Sequence, residues 1–233
     1  AGRSYRKGFE FMTDDVVDVI AREVVDRTAI LFKAIKPKGG EMPVVMGSGG
    51  SGILLHEAIG HAFEADFNRK DISIFAGQLN KKVCNEHINV VDDGTIPFNR
   101  GSVNFDDEGV EGQKTYIVKE GVLTSYLHDR ISAKHYGVNP TGNGRRDTFR
   151  NLPIPRMRAT YMEAGNMKEA DIISTVKNGI FVDTFTNGQV QIGAGDFTFF
   201  VKSGYLIEDG KLTQPIKDIN IIGNGPKALA DIT

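Results

Sequence analysis

Gly47-Ser48-Gly49-Gly50-Ser51-Gly52-Ile53-Leu54-Leu55-His56-Glu57-Ala58-Ile59-Gly60-His61 is the stretch on which the reading of this chain turns. A glycine-rich turn leads into a short apolar segment that carries His56, Glu57 and His61. Imidazoles beside a carboxylate are the donor set of a site for metal-assisted hydrolysis. In the His-Glu-x-x-His helix of zinc peptidases the histidines stand at i and i+4, on one face. Here His61 is at i+5 from His56, and that step turns a side chain by roughly 140° on an ideal helix. Rings so far apart cannot share one ion at a Zn–N distance of about 2.1 Å. The helix must therefore bend or widen, and Gly60 marks the place. A π-bulge or a terminated turn there would bring His61 round towards His56. Glu57 leaves on the neighbouring face, placed to act as general base. By pattern alone, a buried helix with incidental histidines stands beside this reading.

The next residues, His61-Ala62-Phe63-Glu64-Ala65-Asp66-Phe67-Asn68-Arg69-Lys70, complete a segment Gly47–Lys70. That segment resembles the signature of the TldD/PmbA family of metallopeptidases, in its TldD-like, His-Glu-x-x-x-His-bearing branch. Further stretches resemble the family in the same order. They are Pro140-Thr141-Gly142-Asn143-Gly144-Arg145-Arg146, Asn151-Leu152-Pro153-Ile154-Pro155-Arg156-Met157, Gly193-Ala194-Gly195-Asp196-Phe197 and Ile222-Gly223-Asn224-Gly225. The resemblance runs from about Met42 to Asp231.

Carried over residue by residue, the resemblance implies that His56 and His61 hold zinc and that Glu57 is the general base. Family members complete the site with a cysteine in a Cys-Gly-Lys-type segment nearer their C-terminus, for which this chain has no counterpart before Thr233. We therefore expect residues 1–40 to be a linker helix region from a missing N-terminal domain. Residues 41–233 are expected to be the catalytic domain, truncated at its C-terminus. The resemblance further implies a zinc-dependent peptidase acting on unfolded or extended peptides. It also implies pairing with a related PmbA/TldE-type subunit that lacks the metal motif, with a homodimer as the alternative. The family's description as a modulator of DNA gyrase is read as indirect.

Composition sets bounds around this reading. At 233 residues the chain suits one large domain or two small ones. With 40% hydrophobic and 25% charged residues it has the make-up of a globular protein with a sizeable core. A net charge of −2 gives no electrostatic footprint for direct nucleic-acid contact or for an anionic membrane. The lone Cys84 rules out an internal disulfide and fits a reducing compartment. No apolar run approaches ~18 residues, and Ala1–Met12 has no apolar signal-peptide core. The cytoplasm is the expected location.

The periodicities predict an α+β fold: an antiparallel, partly barrel-like sheet with a long N-terminal helix and a short metal-binding helix. The long helix is expected over Asp14–Ala34, capped by Thr13 or Asp14, with Val16, Ile20, Val24 and Leu31 packed into the core. Met42–Met46 and Val83–Val91 read as strands, and Lys114–Val118 with Val122–Leu127 as a hairpin. Asn166 is expected to cap a helix through Lys177. From Ile180 to Ile222, glycine and asparagine signals break the chain into short strands, a meander or partly closed barrel.

Other candidate site residues follow from their chemistry. Asp66 is either an acceptor that orients a ligand imidazole or a solvated loop carboxylate. On chemistry alone either Cys84 or His87 offers a third ligand, but on one strand they face opposite sides and cannot both bind. Asn104–Gly109 reads as a solvated acidic turn, and His128 and His135 lie in a polar helical segment without evident partners. Arg145 and Arg146 could clamp a carboxylate or a phosphate, or tie down backbone carbonyls. Besides the peptidase, two functions stay open. One is a metal-free, inactive module for assembly or peptide capture. The other is a phosphate-ligand domain using Gly47–Gly52 with Arg145 and Arg146.

Overall fold

The computed structural model describes residues 1–233 in full. The chain divides into two compact units. The first comprises Ala1–Ile53, Asn166–Gly188 and Thr198–Ile222, and the second Leu54–Gly165, Gln189–Phe197 and Gly223–Thr233.

In the first unit the long helix spans Asp14–Leu31, and the Thr13 side chain accepts from the Val16 N–H at its start. None of its residues is fully buried, contrary to the core-packing expectation. Val16, Ile20, Ile30 and Leu31 are half-buried, whereas Val24 and Val25 are 44% and 64% exposed. The helix is pinned mainly at its end. There the Lys217 ammonium donates to the Leu31 carbonyl at 3.0 Å, and Ile35 bridges Ile216.

The sheet of this unit runs Val44–Met46, Asn178–Val190, Asp196–Glu208, Lys211–Ile216, with Ile219–Asn224 also pairing to Asp196–Glu208. Val44–Met46 lies parallel to Ile180–Val182. Lys211–Ile216 is antiparallel to its neighbour, with a bulge between Leu212 and Pro215. Val45, Ile173, Phe181 and Ile207 form the buried cluster beneath it. The expected barrel is not found: the sheet is open and part of it is parallel. Nor are the strands short, since Asn178–Val190 and Asp196–Glu208 have 13 residues each. The glycines that suggested turns lie inside these strands for packing reasons. A Cβ on Gly188 would strike the Phe199 ring, and one on Gly204 the Phe181 carbonyl. The expected Asn166–Lys177 helix is shorter, Glu169–Ser174, and starts from Lys168.

Close approach also explains the glycine-rich stretch. The helix Ser48–Leu54 begins directly after the parallel strand, and the Gly47 N–H donates to the Val182 carbonyl at 2.8 Å. A Cβ on Gly47 would come within 2.9 Å of the Phe181 ring, and one on Gly50 within 3.3 Å of the Val182 carbonyl. These glycines seat a helix against a strand.

The second unit holds a four-stranded antiparallel sheet in the order Val122–Leu123, Lys114–Lys119, Val90–Asp93, Thr160–Met162. Val90, Val91, Ile117, Val118 and Leu123 are fully buried in it. Only the end of the expected Val83–Val91 strand forms. Val83 and Cys84 instead direct their N–H groups to the Gly121 carbonyl, at 2.8 and 3.3 Å, in an irregular turn. The helix Arg130–Tyr136 is closed by an Asp129/Ser132 capping box and by Gly137 at φ 67°.

Buried carboxylates organise the loops around this sheet. Asp92 is 1% exposed and accepts from Asn143 Nδ2, the Arg158 N–H and Thr160 Oγ1 at 2.8, 2.8 and 2.6 Å. Burial pushes its pKa up against those bonds. Asp106, expected in a solvated turn, is buried and accepts from the N–H groups of Glu108, Val110 and Gly144. No helix is long and apolar enough to cross a membrane.

Candidate metal centre

The centre is built where helix geometry changes, within the second unit. Leu55–Ile59 is a π-helical turn and Gly60–Phe63 a 3-10 turn. In a π turn the bonds run from i to i+5 rather than i+4, so residues five apart come to the same side. Ile59, at φ −130°, then breaks the helical run. The His56 and His61 rings consequently meet edge to face, with centroids 4.9 Å apart. One donor atom from each of His56, Glu57 and His61 lies within 4.8 Å of the others, and all three side chains are half-buried. Gly60 is required by crowding. A Cβ there would strike Met157 Sδ and stand 3.1 Å from the Leu55 carbonyl.

A buried carboxylate supports the second histidine. Glu64 is 0% exposed, and its Oε2 accepts from His61 Nδ1 at 3.1 Å and from Arg156 Nη1 at 3.0 Å. Its Oε1 takes the Met157 N–H at 3.3 Å. With Nδ1 donating to Glu64, the Nε2 lone pair of His61 is left for a metal ion. The Glu64 hydrogen bond raises the pKa of His61 against the opposing effect of burial. Burial, with the neighbouring His61 charge, lowers that of His56. Arg156 also donates to Asp66 at 3.4 Å and to the Pro155 carbonyl at 2.6 Å, and its guanidinium lies over the Phe67 ring.

The structure redistributes the roles expected of the other candidates. Asp66 pairs with Arg156 and does not orient an imidazole; Glu64 does that. Glu64 was missed, although its position three after His61 is a helical-neighbour signal. Arg156 contacts Glu64 across 92 positions and had no local signal for this role. Cys84 and His87 do not join the His56-Glu57-His61 group. Cys84 is buried and its thiol is pushed up to about 11, while His87 is exposed. His128 is 2% exposed, with Nδ1 3.3 Å from Ser132 Oγ, and burial lowers its pKa to about 4. His135 meets the Tyr136 ring edge to face. Arg145 Nη1 donates to the Met157 carbonyl at 3.4 Å and Arg146 Nη1 to the Asn151 carbonyl at 2.6 Å.

Comparison with known proteins agrees with this architecture. Residues 39–233 match the family model of the PmbA/TldA metallopeptidase C-terminal domain. A metalloprotease TldD homolog of Haemophilus influenzae is 44% identical over 226 residues, 97% of this chain and 47% of that protein. A zinc metalloprotease TldD homolog of Saccharolobus solfataricus is 33% identical over 222 residues, 95% of this chain and 49% of the relative. The crystal structure of TldE from Thermococcus kodakarensis superposes with a TM-score of 0.79 at 26% identity. It covers 92% of this chain and 48% of its own. The chain spans about half the length of the curated relatives it matches. By the matched region, and by similarity along nearly its whole length, the chain belongs to the PmbA/TldD metallopeptidase family and corresponds to its C-terminal domain.

Proposed function

We propose that this chain carries the metal centre of a zinc-dependent peptidase, with His56 and His61 as ligands and Glu57 as general base. The observation that carries the reading is the convergence of their donor atoms within 4.8 Å, in a chain of this family. The donor set suits zinc: imidazole nitrogens are favoured ligands, and a ligating histidine typically gives its other N–H to a carboxylate. His61 has that arrangement through Glu64. A third protein ligand is part of the proposal and lies outside this group. Zinc bound there would supply Lewis-acid polarisation of the scissile carbonyl and make a water molecule more acidic.

The chain's own residues do the rest. Glu57 takes the proton of the attacking water and returns it to the leaving amine nitrogen. Glu64 fixes the orientation of the His61 ring, and Arg156 fixes Glu64. Extended peptides of varied sequence are the proposed substrates, held through their backbone as an added strand. The two-stranded ladder of Gly144–Arg145 with Ile154–Pro155 offers such an edge. A related PmbA/TldE-type subunit, or a second copy, is the proposed partner, supported by the structural similarity to TldE. The lone Cys84 supports a cytoplasmic setting.

The test is metal content and peptide hydrolysis of the full-length protein with its intact mass verified. About one zinc per chain, lost in His56→Ala and His61→Ala, is expected. Glu57→Gln should keep the zinc and slow hydrolysis by about 10²–10⁴-fold. Zinc retained in both histidine variants, or full hydrolysis by Glu57→Gln, would sink the assignment.

A further inference from the structure

Beside Arg156 the second unit has a cleft of ≈ 470 Å³, lined by Arg145, Arg146, Asp147, Ile154 and Arg156. The pairing of Gly144 with Pro155 and of Arg145 with Ile154 sets its walls across from one another. The charges lining it are unequally satisfied. Arg156 is paired with Glu64 and Asp66, and the Asp147 carboxylate accepts from Asn151 Nδ2 at 3.3 Å. The guanidinium groups of Arg145 and Arg146 meet only neutral carbonyl oxygens, those of Met157 and Asn151. Each has a planar fork of five N–H donors, matched to a carboxylate, of which most are uncommitted.

The position of the cleft gives this charge a use. Arg156 Nη1 and His61 Nδ1 bond to the same oxygen, Oε2 of Glu64, at 3.0 and 3.1 Å. A single carboxylate oxygen thus separates the cleft wall from a candidate metal ligand. We propose that Arg145 and Arg146 bind a carboxylate of the peptide substrate, drawing its chain alongside the His56-Glu57-His61 group. This rests on the peptidase reading and adds a charge requirement to it: the preferred peptide carries an anionic terminus or acidic side chain close to the bond that is cut.

The experiment uses the full-length protein with Glu57→Gln, so that bound peptide is not consumed, and fluorescence anisotropy of labelled tetrapeptides. One peptide has a free C-terminal carboxylate, one a C-terminal amide, and one an amide with glutamate in the last position. A carboxylate-bearing peptide is expected to bind at least about tenfold more tightly than the plain amide, as charge-assisted bonds to arginine should give. Arg145→Gln with Arg146→Gln should erase that preference, so that all three peptides bind with one affinity. Preference for the free acid assigns the cleft to the peptide terminus, and preference for the glutamyl amide assigns it to a side chain. Both support the proposal.

Equal affinity for all three peptides, binding of none, or preference surviving the double substitution overturns it. Thermal melting checks that the variant folds. If it does not, Arg145→Gln alone carries the test, since that guanidinium makes only a 3.4 Å carbonyl contact. Repeating the titration after chelation separates the two readings. The carboxylate preference is a property of the arginines and persists without metal, whereas the peptidase reading stands or falls on zinc content and hydrolysis of the unsubstituted protein.

Discussion

Glu64 and Arg156, 92 positions apart, form a 3.0 Å ion pair in which the glutamate is completely buried. The same carboxylate oxygen receives His61 Nδ1, so the pair joins the Pro155-Arg156-Met157 segment to the candidate metal centre. Removing one partner of a buried pair leaves an uncompensated charge, at a cost of about 3–5 kcal/mol. Arg156→Met should lower stability by that order, measured by urea unfolding, whereas Glu64→Gln with Arg156→Met should recover part of the loss. No recovery in the double variant would mean that the two side chains are not energetically coupled.

Glu64→Gln alone tests the support of the imidazole. Such partners typically contribute about 10–100-fold in metal affinity. Zinc competition with a chromophoric chelator should show a weakening in that range, with the fold retained by circular dichroism. An unchanged affinity would confine Glu64 to a packing role.

Gly60 is fixed by the Met157 sulfur on one side and the Leu55 carbonyl on the other. Gly60→Ala should destabilise by about 1–3 kcal/mol, the usual cost of overpacking. Shortening the flexible neighbour, in Gly60→Ala with Met157→Ala, should cost less than the sum of the single changes. Strict additivity in denaturant melts would show that Met157 is not what excludes the methyl group.

His128 gives a pH dependence with a definite sign. Its pKa falls to about 4 in the folded protein because burial disfavours the charged ring. The unfolded chain, with the ordinary value of about 6.5, therefore binds more protons between these limits. The stability this histidine contributes is complete above about pH 6.5 and is lost as pH falls towards 4, by an amount on the order of 3 kcal/mol. Urea unfolding at several pH values should show the decline, with a shallower slope in His128→Gln. Parallel slopes would assign the acid sensitivity to other groups.

Asp92 collects three hydrogen bonds from Asn143, Arg158 and Thr160, tying the loop after Pro140 to the central strand. Asp92→Ala leaves buried donors unsatisfied, and a loss of about 2–4 kcal/mol is expected. Amide exchange should increase over residues 141–158 before it does in the sheet. Uniform exchange across the unit would show that the carboxylate stabilises the whole and not that loop.

The sequence carried the local chemistry further than the long-range packing. The i+5 spacing of His56 and His61 and the glycine between them called for a widened turn, and the π turn Leu55–Ile59 is there. The α+β mixture and the hairpin over Glu120-Gly121 were equally legible, because both rest on neighbouring residues. The barrel was misread because Gly188 and Gly204 make room for aromatic and backbone neighbours from distant strands, which no local pattern reveals. For the same reason Asp66, and not Glu64, stood as the carboxylate that either orients an imidazole or is solvated. Distinguishing two carboxylates two positions apart requires knowing that Arg156 arrives between them. The apolar stripe of Asp14–Leu31 was read correctly as a stripe, but sequence periodicity does not say how much of it its own unit covers.

The widened turn also bears on how such a motif can change over generations. Deleting Ala58 or Ile59 would restore the i, i+4 spacing of the imidazoles on an ordinary helix. Because the π turn already absorbs one extra residue, the chain from His61 onward would keep its direction, with Phe63 still facing the core and Glu64 still facing Arg156. The five-residue and four-residue spacings are therefore related by one residue and one change of turn type. A lineage holding one can reach the other through a single deletion while keeping its ion pair, provided that the shortened turn still fills the core.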